Sequence, residues 1–146
     1  MTDINDFLKR PLIKVSEGTC MKEIYELMKE KKIRHVPVVQ GKKLVGIISD
    51  RDVLKHSTFD SGDGANPSDL KASDIMTSNV ISAQKYHALE DIAATLVYHK
   101  IDCIPICQSN GELLGLVTTS DIIKFFCSEQ LAKGKIANPI AADRKR

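Results

Sequence analysis

Two short segments carry the residues best suited to chemistry: Ser49-Asp50-Arg51-Asp52 and Thr118-Thr119-Ser120-Asp121. In each, a hydroxyl residue closes an apolar run and an aspartate follows three positions later. A hydroxyl before a helix with an acid three residues on is close to a capping box, in which each side chain satisfies a backbone N–H at the helix start. The same arrangement suits a ligand. A helix start presents free N–H groups and a positive dipole end to a phosphate, and a nearby carboxylate can accept both hydroxyls of a ribose. The two uses are compatible, since the hydroxyl can cap the helix while the acid turns toward a cleft.

Spacing supports little other chemistry. Ser, His and Asp residues are present, but no G-x-S-x-G elbow or P-loop assembles them. The glycines at 62 and 64 fail G-x-G-x-x-G because Pro67 takes the last glycine position. The chain is therefore not expected to be an enzyme. Cys103 and Cys107 would lie about 13 Å apart along a strand, too far to share a zinc ion. Neither C-x-x-C nor H-E-x-x-H occurs, so no metal site is expected. Cys20, Cys103, Cys107 and Cys127 read as reduced, buried thiols. His56, His87 and His99 are isolated and expected at the surface, and Thr77 and Ser78 suit either capping or a phosphate contact, with capping the expectation.

The 146 residues carry 21 Lys plus Arg against 19 Asp plus Glu, a net charge of +2. That balance leaves no broad footprint for duplex nucleic acid or an anionic membrane. The apolar runs at 44–48 and 113–117 fall far below the ~20 residues that cross a bilayer. Residues 1–6 lack the apolar core of a secretory signal, so the expected location is the cytoplasm. A chain of this size buries roughly 68–70% of its unfolded surface, enough for a core of its own.

The elements that must position the motifs come as a repeat. Residues 13–39 align with 81–107 at an offset of 68 (81 − 13), placing Ile13 on Ile81, Ile24 on Ile92, Met28 on Leu96 and Pro37 on Pro105. One extra residue in a glycine-containing turn then raises the offset to 69 (115 − 46). Leu44-Val45-Gly46-Ile47-Ile48-Ser49 thus matches Leu113-Leu114-Gly115-Leu116-Val117-Thr118. Hairpin loops tolerate such insertions. Each half reads as strand, helix, strand, strand, helix. The first strand is expected over 12–15, and a helix over 19–32 with Met21, Ile24 and Met28 on one face, repeated as Leu89, Ile92 and Leu96. Strands over 36–39 and 44–48 follow, joined at 40–43, and then a helix from Asp50. Residues 57–68 have too few apolar side chains to pack and are expected to form a mobile loop. The basic end Arg144-Lys145-Arg146 reads as solvated.

An apolar residue, Pro and two further apolar residues, then Leu-Val-Gly-Ile-Ile-Ser-x-x-Asp, all repeated in register, resemble the cystathionine beta-synthase (CBS) domain. The tandem pair resembles a Bateman module over residues 4–128. The resemblance implies an α/β (α+β) fold of two β-α-β-β-α repeats packed about a pseudo-twofold axis. Its expected divisions are a first repeat with the N-terminal segment (1–62), a flexible linker (63–71), a second repeat (72–130) and a tail (131–146). It further implies two clefts for adenosine-containing ligands such as AMP, ADP or ATP, and a disc-shaped homodimer. In the family the motif aspartate holds the ribose, which maps to Asp52 and Asp121, and the hydroxyl lies near the phosphates, which maps to Ser49 and Thr118. Adenine lies against the first strand and the strand around the proline, at Ile13, Val15 and Pro37 in the first half and Ile81, Ala83 and Pro105 in the second.

The copies differ where phosphate would be read. The first has Arg34-His35 and Arg51, whereas the second has Asp102-Cys103 and Ser120. Charge-assisted contacts to phosphate are strong, so the arginine-bearing cleft is expected to prefer more anionic ligands. Which residues share a cleft is left open by the sequence. The expected function is a regulatory sensor in which an adenine nucleotide is a signal, not a cofactor, read by a separate target protein. The competing expectation is an interaction or dimerisation domain in which Asp52 and Asp121 only cap helices. Single-stranded nucleic-acid binding is weaker, because with no Trp, three Tyr and four Phe the stacking platforms are scarce.

Overall fold

The computed structural model describes residues 3–58, 62 and 66–135. In the first half, strand β1 (Val15–Ser16) runs parallel to β2 (His35–Gln40), which turns through Gly41 into antiparallel β3 (Lys43–Ser49). Gly41 sits at φ +62°, a conformation that glycine adopts without steric cost. In the second half, β4 (Cys103–Cys107) pairs antiparallel with β5 (Leu113–Thr118). There the counterpart of β1 shrinks to one parallel bridge, Ala83 to Ile106. The Ala83 N–H donates to the Pro105 carbonyl at 2.9 Å, and the Cys107 N–H donates back to the Ala83 carbonyl at 2.8 Å. Proline has no N–H to give a ladder, and Pro105 joins this one through its oxygen.

Among the described residues six α-helices accompany the strands: α1 (Ile4–Leu8), α2 (Met21–Lys31), α3 (Asp50–Ser57), α4 (Ala72–Ile75), α5 (Leu89–His99) and α6 (Thr119–Ala132). The apolar stripe expected on the second element is present, with Met21, Ile24 and Met28 buried on α2 and Leu89, Ile92 and Leu96 on α5. Helix α2 begins two residues later than expected, because the Thr19 hydroxyl accepts from the Ser16 N–H at 3.2 Å instead of entering the helix. The expected strand over 12–15 starts only at Val15, because the chain before it is still crossing from the second half. Half of the expected mobile loop over 57–68 lies outside the described residues, as does the basic end at 144–146; of the rest, Ser57 ends α3 and Pro67–Asp69, capped by Asn66, form a short 3-10 helix.

That crossing defines the architecture. Helix α1 opens the first repeat but packs on the second, where Ile4, Phe7 and Leu8 join a core of Ile92, Leu96, Ile104, Ile106 and Val117. Helix α4 opens the second repeat and packs on the first, where Ala72, Ile75 and Met76 join Ile24, Val36, Val38, Ile48 and Val53. The glycines of the repeated Leu-Val-Gly and Leu-Leu-Gly runs make room for this exchange. A β-carbon on Gly115 would lie 2.6 Å from Leu8 Cδ2, and one on Gly46 would collide with the Met76 sulfur. A small third cluster of Val39, Cys107 and Leu113 joins the hairpins, with Leu44 N–H donating to Gly111 at 3.1 Å and Leu113 N–H to Lys42 at 2.9 Å. These paired bonds relate the two halves by the pseudo-twofold. Among the described residues no helix is long and apolar enough to cross a membrane.

Candidate functional site

Both hydroxyl-x-x-Asp motifs form capping boxes. Thr118 Oγ1 accepts from the Asp121 N–H at 3.2 Å and Asp121 Oδ2 accepts from the Thr118 N–H at 2.9 Å, which starts α6. Ser49 and Asp52 do the same for α3 at 3.1 and 2.8 Å, and the Ser49 hydroxyl also donates to Asp52 Oδ2 at 3.0 Å. The acids differ in their second partner. Arg10 Nη1 donates to Asp121 Oδ1 at 2.7 Å and Nη2 to Oδ2 at 3.0 Å, a bidentate pair. Nη2 also donates to the Leu116 carbonyl at 2.7 Å, and the guanidinium lies 5.3 Å from the Phe7 ring centre. Among the described residues Asp52 has no cationic partner.

Asp121 is 6% exposed, the one acid of the described residues inside the core. Burial by itself raises a carboxyl pKa, but the hydrogen bonds from Arg10 and Thr118 outweigh it and hold Asp121 below the usual aspartate value. It is therefore ionised at neutral pH and already doubly engaged.

Beside this pair a cavity of about 490 Å³ opens between the halves. The first half lines it with Leu12, Ile13, Lys32, Ile33, Arg34 and His35, the second with Asp102, Leu116, Thr118, Thr119, Ser120, Asp121 and Lys124. Phe7 and Arg10 reach it from the N-terminal segment. The volume falls within the roughly 300–1,000 Å³ of small-molecule sites. Four permanent cations (Arg10, Lys32, Arg34 and Lys124) face two carboxylates, Asp102 and Asp121. His35 adds no charge at neutral pH, because burial lowers its pKa more than the nearby Asp102 and Asp50 carboxylates raise it. Asp102 is itself tied in place: its carbonyl accepts from the Thr119 N–H at 2.9 Å, as the Arg34 carbonyl accepts from Asp50 in the other half at 2.9 Å.

Of the residues singled out in the sequence, Ile13, Arg34, His35, Thr118 and Asp121 share this cavity. Each half thus contributes a different part, with the first strand and arginine from one copy and the capped aspartate from the other. Ser49, Arg51, Asp52 and Ile81 do not line it. Arg51 stands exposed on α3 beside Asp52 and is not among the residues that line this cavity with Arg34 and His35. Val15, Ala83, Pro37 and Pro105 are buried in the strands.

Several smaller expectations change. His56 and His87 are half-buried, with His56 Nδ1 2.8 Å from the Asp52 carbonyl and His87 Nδ1 accepting from the Gln84 N–H at 2.9 Å. Thr77 caps no helix, and its main chain pairs with Ile47. Ser78 lines a smaller cavity instead of capping. Of the four free cysteines, Cys103 and Cys107 are buried, but Cys127 is exposed and Cys20 half-buried. Burial pushes the Cys103 thiol up to about 12, leaving it neutral and unreactive. The residue that the sequence reading missed is Arg10. A signal existed: Asp3 and Asp6 form a capping box around Ile4, Phe7 and Leu8, and residues 4–8 align with 72–76 at the repeat offset of 68 (72 − 4).

Comparison with known proteins agrees with this architecture. The chain is 28% identical over 138 residues to the CBS domain-containing protein YhcV of Bacillus subtilis, covering 94% of this chain and 95% of YhcV. It is also 28% identical over 130 residues to the Methanocaldococcus jannaschii protein MJ1225, covering 84% of this chain but only 46% of that larger protein. Among solved structures, the CBS domain pair of protein MJ0100, in complex with 5′-methylthioadenosine and S-adenosyl-L-methionine, superposes with a TM-score of 0.76. It has 26% identity, over 88% of this chain and 98% of that one. With the CBS domain matched twice, at residues 4–58 and 72–128, the chain belongs to the CBS domain family as a tandem pair.

Proposed function

We propose that the cleft between the repeats binds an adenosine-containing ligand and that the chain works as a regulatory module, not a catalyst. The observation that carries this reading is Asp121. A buried, ionised carboxylate lies on the wall of a ligand-sized cavity that also holds four cations. A ribose supplies the hydroxyl donors such a carboxylate accepts. Arg34, Lys32, Lys124 and the start of α6 suit a phosphate, and Leu12 and Ile13 give the base an apolar surface. The MJ0100 pair, a structural neighbour, binds two adenosyl compounds. The surplus of cations favours AMP, ADP or ATP in this cleft. Ser49, Asp52 and Ile81 are the repeat-related set for a second cleft, which has no counterpart of Arg10.

Calorimetric titration tests the reading. Asp121→Asn keeps size and polarity but removes the charge, and affinity for the best adenosine ligand should fall about tenfold or more. Asp52→Asn should leave this cleft's affinity unchanged.

A second reading, as an interaction domain, draws on the helix faces. Leu54 and Ile123, related by the offset of 69 (123 − 54), are 67% and 56% exposed, and Phe126 is 59% exposed. Contiguous exposed apolar side chains mark association surfaces. A second copy of the chain, meeting these faces of α3 and α6, makes the homodimer through which ligand occupancy would reach a separate target in the cytoplasm. The two readings are compatible.

A further inference from the structure

Arg10 lies between α1 and β1, ahead of the first strand of its own repeat, yet it holds the acid of the other repeat on which the proposed function rests. Its guanidinium takes one position on Oδ1 and one on Oδ2 of Asp121, and the Thr118 N–H takes another on Oδ2. A carboxylate offers about four acceptor positions, so the two hydroxyls of a ribose cannot both bind while the arginine stays. Arg10 is also poised to move. Its side chain is 47% exposed, and among the described residues its other contacts are hydrogen bonds to the carbonyls of Phe7 and Leu116 and the face of the Phe7 ring. At the repeat-related position (78 − 10 = 68) the second copy has Ser78, so this contact belongs to one cleft alone.

We propose that Arg10 sets the ligand specificity of this cleft: it occupies Asp121 until a ribose displaces it, and it then passes to the ligand's phosphate groups. This rests on the adenosine-binding reading above. The physical asymmetry lies in what the displaced guanidinium finds. A phosphate gives Arg10 a second bidentate anion, so little is lost on exchange. Adenosine offers no anion, and the single carboxylate of S-adenosylmethionine comes with its own ammonium and sulfonium cations beside Lys32, Arg34 and Lys124. The cleft therefore discriminates by competition: every ligand must break the Arg10–Asp121 pair, and a phosphorylated one replaces it best. Because Arg10 follows α1 directly and Leu8 sits against Gly115, exchange of the pair also acts on the N-terminal helix.

The experiment is calorimetric titration of the full chain, wild type, Arg10→Ala and Arg10→Lys, with adenosine, AMP and ATP, each variant first checked for an unchanged near-ultraviolet circular dichroism spectrum. Arg10→Ala should tighten adenosine binding and weaken ATP binding, lowering the ATP-to-adenosine affinity ratio by about tenfold or more. Arg10→Lys, which keeps the charge but loses the fork, should fall between, and it carries the test alone if the alanine variant does not fold. A ratio unchanged in both variants, or equal losses for adenosine and ATP, overturns the role of Arg10 while leaving the adenosine site standing. If no adenosine compound binds the wild type or either variant, the adenosine-binding reading fails and this proposal falls with it.

Discussion

Asp121 carries two tasks with one side chain. Its Oδ2 closes the capping box of α6, and both oxygens meet Arg10. Burial raises the cost of its charge and the hydrogen bonds from Arg10 and Thr118 more than offset it, which places its pKa in the folded chain below the unfolded value near 3.8. A depressed aspartate contributes stability that is present above the unfolded value and lost as pH falls through the folded one. Replacing Arg10 removes most of that contribution. Wild type should exceed Arg10→Ala by about 1 kcal/mol at neutral pH, a modest figure because the arginine is half in solvent. The two curves should converge as pH falls through the folded value and Asp121 becomes protonated in both. Urea unfolding across the acid range reads this, and a gap that stays constant down to the lowest pH would contradict it. His35 depends on acid in the same direction but at higher pH. Its lowered pKa means the unfolded chain takes up its proton first, so stability falls as pH drops below about 6.5. His35→Gln should flatten that part of the profile.

At the scale of elements, the exchange of α1 and α4 depends on glycines whose substitution should report on it. Gly46→Ala forces a β-carbon into the Met76 side chain from Cβ outward, and should destabilise the chain by about 1–3 kcal/mol. Gly115→Ala meets only the tip of Leu8 on a five-residue helix and should cost less. Equal and negligible losses in urea unfolding would mean that neither helix is held where it is seen. The hairpins and long helices were legible in sequence because their periodicity is strong and repeated. What escaped was short. Helix α1 spans five residues, too few for a period to declare itself, and the second copy's first strand is a single bridge at Ala83. The tie between Arg10 and Asp121 spans 111 positions, and no local pattern encodes such a contact.

For the whole molecule, the sequence supplied the parts of the site but not their grouping. Ile13, Arg34 and His35 lie in one repeat and Thr118 and Asp121 in the other, and only the packing of the halves brings them around one cavity. Arg51 does not line that cavity, although its neighbour Asp50 bonds to the Arg34 carbonyl. The same packing also leaves Leu54, Ile123 and Phe126 exposed on α3 and α6. If a second copy covers them, Leu54→Glu combined with Ile123→Glu should convert a dimer to a monomer in sedimentation analysis without loss of helical signal. A wild-type chain that sediments as a monomer at every concentration would contradict that assembly. The central claim, that this cleft holds an adenosine ligand through Asp121, is tested most directly by titrating wild type and Asp121→Asn with AMP, ADP, ATP and S-adenosylmethionine in a calorimeter. Wild type should bind at least one phosphorylated member, and Asp121→Asn should lose about tenfold or more of that affinity. Binding that survives the substitution unchanged, or no binding by the wild type at all, would contradict it.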